Sequence, residues 1–263
     1  MTALRNIAAI VQKEWRHYFG SPIAYVALFV WALLFGIFFY FAFTFFLQQS
    51  MMASQQMQYG GGPKLSMNEY LIRPVLGNMA VVALFVAPML TMRLFAEEKR
   101  QGTIELLATS PLTDWQLVIG KFLAAVGLYA LMILTGLLNL VALWIYGQPA
   151  PEWKPVATGS LALLLLGGCF IALGTFVSTL TRNQIVAGIL SFCLLLGAWT
   201  LGWADTPTAS ETMKVVAYLG LTTHMEDLLK GVVDLKSLVY YLSFIGFGLF
   251  LAQQSIESQR WRA

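Results

Sequence analysis

Five long stretches of this chain carry no charged side chain: Ile23–Leu47, Pro74–Met92, Phe122–Tyr146, Val156–Leu180 and Ile185–Trp203. Crossing about 30 Å of hydrocarbon takes roughly 20 helical residues at 1.5 Å rise each, and every stretch meets that length or nearly so. A sixth, Leu238–Ile256, is diluted at its end by Gln253, Gln254 and Ser255. Its apolar part, LVYYLSFIGFGLFLA, spans if it stands upright or the bilayer thins locally. Backbone groups in lipid must bond within their own segment, so all six are predicted to be α-helices. The first reads as a retained span, because it is longer than a signal core and ends in QQSMMASQQ.

The intervening segments have patterns of their own. In residues 1–22, Leu4, Ile7, Ala8, Val11, Trp15 and Tyr18 recur at helical spacing, with Arg5, Gln12, Lys13 and Arg16 between them. This predicts an amphipathic helix, stopped by Gly20 and Pro22, that lies in the membrane interface or packs on a soluble partner. Gln48–Arg73 contains Gly60-Gly61-Gly62-Pro63 and reads as a flexible hairpin, with a Ser66/Glu69 capping box before Pro74. Residues 204–236 predict a helical hairpin dipping into one leaflet, with a Thr223/Glu226 capping box and a stop at Gly231.

Composition agrees with membrane insertion. The chain is 58% hydrophobic and 11% charged, against about 25% charged in soluble domains. The net charge of +3 is dispersed, without basic tails or aromatic-basic interleaving, which argues against nucleic acid. Arg5, Lys13, Arg16, Arg93, Lys99, Arg100, Lys121, Arg182, Arg260 and Arg262 fall on the side of the termini and even-numbered loops. The positive-inside rule therefore predicts cytoplasmic termini and an external 204–236 segment. Cys169 and Cys193 lie in apolar runs and read as small buried residues, not as a disulfide.

Several chemistries find no support. The Gly120-Lys121 pair lacks the upstream glycine of a phosphate loop, and Phe122 stands where Ser or Thr is needed. His17 and His224, the only histidines, fall on opposite membrane faces in this topology, which excludes a zinc site using both. An intramembrane enzyme would need a catalytic set at one depth. An ion-coupled secondary carrier would need a midplane ionisable group, and no span holds one. Asn139 and Thr135 read as interhelical hydrogen-bonding groups.

One segment concentrates charge, turn residues and caps: AEEKRQGTIELLATSPLTDWQLVIGKF. Thr103 is a candidate N-cap after Gly102, Glu105 suits a first helical turn, and Pro111 ends the helix. Thr113 and Gln116 form a capping box for the third span. A short helix at 103–109 follows, with Glu97, Glu98 and Arg100 at its entrance and Ile104, Leu107 and Ala108 on its ridge. It either closes the loop or docks another protein; ordered charge beside an apolar ridge favours docking.

This segment resembles the signature of type-2 ABC exporter permeases at Glu97, Glu98, Gly102, Thr103, Glu105, Leu106, Leu107, Pro111, Gly120 and Lys121. KEWRHYFGSPIAY and HMEDLLKGVVDLKSLVYYL…SIESQRW extend the likeness along the chain, the latter being similar to the gliding-motility-type permeases. The resemblance implies one all-α membrane domain over 1–263, with an interfacial helix at 1–22, a coupling-helix loop at 97–111 and a re-entrant hairpin at 204–236. It implies a permease subunit of an ATP-driven exporter in a bacterial inner membrane, moving a solute or transmitting force. ATP and Mg would reside on separate ATPase subunits, docked through Glu97, Glu98, Arg100, Gly102, Thr103, Ile104, Glu105 and Leu107, with no cofactor, metal or catalytic residue in this chain. It further implies a second copy or a homologous permease, bounded by the first and fifth spans, and an accessory protein with a periplasmic domain.

Overall fold

A computed structural model describes residues 2–58, 66–103, 112–146, 152–204 and 210–260. No strand occurs among them. The helices are α1 (Thr2–Gly20), α2 (Pro22–Gln58), α3 (Arg73–Thr91), α4 (Ala96–Gln101), α5 (Asp114–Tyr146), α6 (Trp153–Leu180), α7 (Gln184–Thr200), α8 (Glu211–Tyr218), α9 (Met225–Leu229) and α10 (Leu235–Arg260). A π-helical turn, Asn68–Ile72, leads into α3, and a 3-10 turn, Leu201–Ala204, follows α7. Among the described residues, six segments are long and apolar enough to cross a membrane.

Helix α6 forms the centre and packs against α3, α5, α7, α9 and α10. Small residues let its neighbours approach. A Cβ at Gly167 would stand 2.1 Å from Tyr129 Cε1, and one at Gly174 would stand 2.1 Å from Thr91 Oγ1. Helices α2 and α7 are the least enclosed, with Phe29, Phe41, Phe45, Ile185, Ile189 and Leu194 exposed.

Several helices outrun their charge-free cores. Helix α2 continues through the Gln- and Met-rich segment to Gln58, where a hairpin was expected from Gln48. Gln, Met and Ala are good helix formers, and no Gly or Pro intervenes before Gly60. Its 37 residues extend about 55 Å, well beyond the hydrocarbon thickness. Gly60–Pro63 lie outside the described residues.

Three expected polar motifs take other forms. Ser66 makes no side-chain cap: Met67 is already helical, and the Ser66 carbonyl accepts from the N–H of Glu69 and Tyr70. Thr223 donates to the Ala217 carbonyl at 2.9 Å instead of capping α9, which starts after His224. Thr135 and Asn139 donate to Met132 and Gly136 carbonyls of their own helix and bridge no neighbour among the described residues. An i−3 carbonyl is always within reach of a short polar side chain, whereas a partner on another helix must be placed by packing. Gly231, by contrast, has φ of 88°, just beyond the end of α9.

Between α7 and α10, the chain leaving α8 folds back on the 3-10 turn Leu201–Ala204 by direct backbone contact. A Cβ at Gly220 would stand 2.4 Å from the Gly202 nitrogen. The hydroxyls of Tyr240 and Tyr241 donate to the Leu219 and Leu221 carbonyls at 2.7 and 2.8 Å. Cys169 is buried, Cys193 is exposed, and both are free.

Candidate functional site

Helix α4 is short, so its ends decide whether it forms. At its C-terminus Gly102 is left-handed (φ 71°), and the Thr103 N–H donates to the Glu98 carbonyl at 3.0 Å. The Gly102 N–H donates to Lys99, which completes a Schellman-type closure. The Thr103 hydroxyl also donates to the Glu98 carbonyl, so it closes α4; the rest of the helix expected at 103–109 falls outside the described residues.

The N-terminus of α4 is capped by another helix. Ser178, buried in the last turn of α6, accepts from the backbone N–H of Phe95 at 3.1 Å and Ala96 at 3.2 Å, and donates to the Met92 carbonyl. Lys99 returns the contact by donating to the Thr179 carbonyl, which also accepts from Gln259 of α10 at 3.0 Å. Replacing Ser178 with alanine leaves two backbone donors buried without an acceptor. The expected loss is about 1–3 kcal/mol, with faster amide exchange at Phe95 and Ala96. Unchanged melting and unchanged exchange in the purified variant would contradict this role.

Beneath α4 lies a set of ion pairs. Lys121 Nζ is 2.9 Å from Glu14 Oε1 and 2.9 Å from Glu98 Oε1, with its own side chain 2% exposed. Lys13 Nζ reaches Glu98 at 3.0 Å and Glu14 at 3.6 Å. The Lys121 ammonium also sits 5.2 Å from the centre of the Phe95 ring. Three chain segments therefore meet at two carboxylates. Burial alone would lower the Lys13 pKa, but Glu98, with Glu14 behind it, holds it above the ordinary lysine range. Burial pushes the Tyr18 phenol up, and the Glu14 charge adds to the effect.

Helix α1 is seated on α5 by two glycines. A Cβ at Gly120 would lie 2.7 Å from Ile10 Cγ2, and one at Gly127 would lie 2.9 Å from Trp15 Cζ2. Trp15 Nε1 donates to the Ala124 carbonyl at 3.2 Å, and Asn6 donates to Gln116 Oε1 at 3.1 Å. The Gln116 side chain is thus drawn to α1; of the expected capping box, only the Thr113 half forms, its hydroxyl accepting from the Gln116 N–H at 3.3 Å. The buried line on α1 is Ile10, Glu14 and Tyr18, while Leu4 remains 76% exposed.

The expected docking residues divide accordingly. Glu98 turns its carboxylate inward, Glu97 is half-buried beside Gln101, and Arg100 is exposed. Gly102 and Thr103 form the turn. Ile104, Glu105 and Leu107 lie outside the described residues. Sequence reasoning missed Glu14 and Ser178. Glu14 left a signal, as the only acid in residues 1–22 and one helical turn from Tyr18. Ser178 left none.

A family profile described as ABC-2 family transporter protein matches residues 8–252. The chain belongs to the ABC-2 transporter family. This ABC-2 chain is 28% identical over 206 residues to the probable multidrug ABC transporter permease YbhR of Escherichia coli (strain K12), covering 70% of this chain and 53% of that protein. It is 25% identical over 164 residues to the inner membrane transport permease YhhJ of the same organism, covering 62% of this chain and 42% of that one. The chain thus spans about half the length of the curated relatives it matches.

Proposed function

We propose that this chain is the permease subunit of an ATP-driven exporter of the bacterial inner membrane, moved by separate ATPase subunits that dock on loop 97–111. The observation that carries this reading is the attachment of α4. Glu98 joins it to α1 and α5, and Ser178 with Lys99 joins it to α6. Displacement of the loop therefore reaches three helices at once. In this reading Glu98 holds the loop, while Glu97, Arg100 and residues 104–107 meet the ATPase, which carries ATP and Mg. The cargo is a solute or a force on a periplasmic partner, and the gliding-motility likeness favours an accessory protein of the latter kind. The open apolar faces of α2 and α7 favour a second permease along the first and fifth spans.

Gly102→Val and Glu105→Lys test the docking reading. A Cβ at Gly102 meets nothing within 4 Å, so the cost is the left-handed backbone alone, about 1–3 kcal/mol for a β-branched residue. Both variants are expected to insert normally and to co-purify less ATPase or lose coupled ATP hydrolysis. Full recovery of both properties in both variants would refute docking here.

The charge bias places both termini, Gly102 and Arg182 in the cytoplasm, and Gly61 and His224 outside. Single cysteines introduced into a Cys169→Ser, Cys193→Ser background should label from outside whole cells at position 61 and not at position 102. The reverse pattern would overturn the orientation.

A further inference from the structure

A cavity of about 300 Å³ opens beside the ion pairs, between α1, the end of α3, α4 and α5. Its polar wall holds Lys13, Arg93 and Lys121 against Glu14, Glu97 and Glu98, a formal balance of zero. Its other wall is apolar, with Ile23, Met89, Leu90 and Leu128. Three residues lining this cavity each carry a buried polar atom with no partner among the described residues: the Tyr18 hydroxyl, Arg93 Nε and Glu98 Oε2. Tyr18 itself is only 9% exposed. Such groups are costly to leave unmet.

We propose that this cavity binds the headgroup of a phospholipid carrying a primary ammonium and a phosphate, with an acyl chain along Ile23 and Met89. The level is right for a headgroup, since Arg93 immediately follows one charge-free stretch and Lys121 immediately precedes another. A bare anion would face three carboxylates, and a bare cation would face three cationic side chains. A zwitterion meets both: its phosphate accepts from Arg93 and Tyr18, and its ammonium donates to the open oxygen of Glu98. Met89 is 60% exposed and can cover a chain lying in the leaflet on the α1 side. This site shares Glu97 with the proposed docking loop, but its test needs no ATPase.

The test is native mass spectrometry of the purified chain titrated with phosphatidylethanolamine, phosphatidylcholine and phosphatidylglycerol of matched acyl chains. Phosphatidylethanolamine is expected to be retained most. The quaternary ammonium of phosphatidylcholine has no N–H for Glu98, and phosphatidylglycerol has no cation. Arg93→Gln should lower retention about tenfold, the loss expected of one charge-assisted hydrogen bond. Met89→Trp, at an exposed position, should narrow the mouth and lower retention without changing the elution profile. Equal retention of the three lipids, preference for phosphatidylglycerol, or unchanged retention in Met89→Trp would each overturn the assignment. So would equal binding of glycerophosphoethanolamine, which has the headgroup and no acyl chains.

Discussion

Lys121→Met is expected to destabilise the folded chain by about 3 kcal/mol or more, because it leaves two enclosed carboxylates facing one another. Glu14 and Glu98 side chains are 8% and 12% exposed, and both accept from the same ammonium. Lys13 stays within reach of both but is 59% exposed, so water screens most of what it can restore. Arginine should not substitute fully, since its planar fork is larger than the ammonium enclosed here. The Lys121→Met, Glu14→Gln double variant should recover part of the loss, because a neutral amide no longer needs a cation. Thermal unfolding of the purified variants checks this. A single variant that melts with the wild type, or a double variant no better than the single, would show that the cluster does not hold α1, α4 and α5 together.

Gly167→Ala should be as damaging, through shape. Its Cβ would lie 2.1 Å from Tyr129 Cε1 and 2.5 Å from Cζ. The ring has nowhere to go: Tyr129 is fully buried, donates to the Leu163 carbonyl at 3.2 Å and abuts the fully buried Trp31 edge-on at 5.5 Å. Overpacking costs typically 1–3 kcal/mol, and this fixed neighbour puts the cost at about 3 kcal/mol. Gly197→Ala is the control, because nothing lies within 4 Å of a Cβ there. It should be neutral or gain up to about 1 kcal/mol of helix propensity. Comparable yield and melting for both alanine variants would contradict the close approach of α5 and α6. Adding Tyr129→Leu should rescue the first variant.

The spans were legible because lipid forbids charge, so a run without Asp, Glu, Lys or Arg marks a helix whatever its packing. Their ends were less legible. Gln48–Gln58 is polar enough to read as loop, yet its residues favour helix and nothing breaks them. The candidate site was legible as separate pieces. Glu98 and Lys121 stood out in the chain, but their pairing, with Glu14 as the third member, is a tertiary contact spanning 107 residues between Lys121 and Glu14. No spacing rule reaches that far. Ser178 was hidden more completely, since a serine in an apolar helix ordinarily bonds its own backbone. Here it caps a helix 82 residues away in sequence.

The central claim is that the loop carrying α4 is where an ATPase meets this chain. Arg100 tests it most directly, being exposed on α4 and outside the ion pairs. A photoreactive amino acid there, with a control at exposed Met213 of α8, can be irradiated in intact cells. An adduct with a P-loop ATPase from position 100, and none from position 213, is the expected result. No ATPase adduct from position 100, or equal adducts from both, would contradict the account.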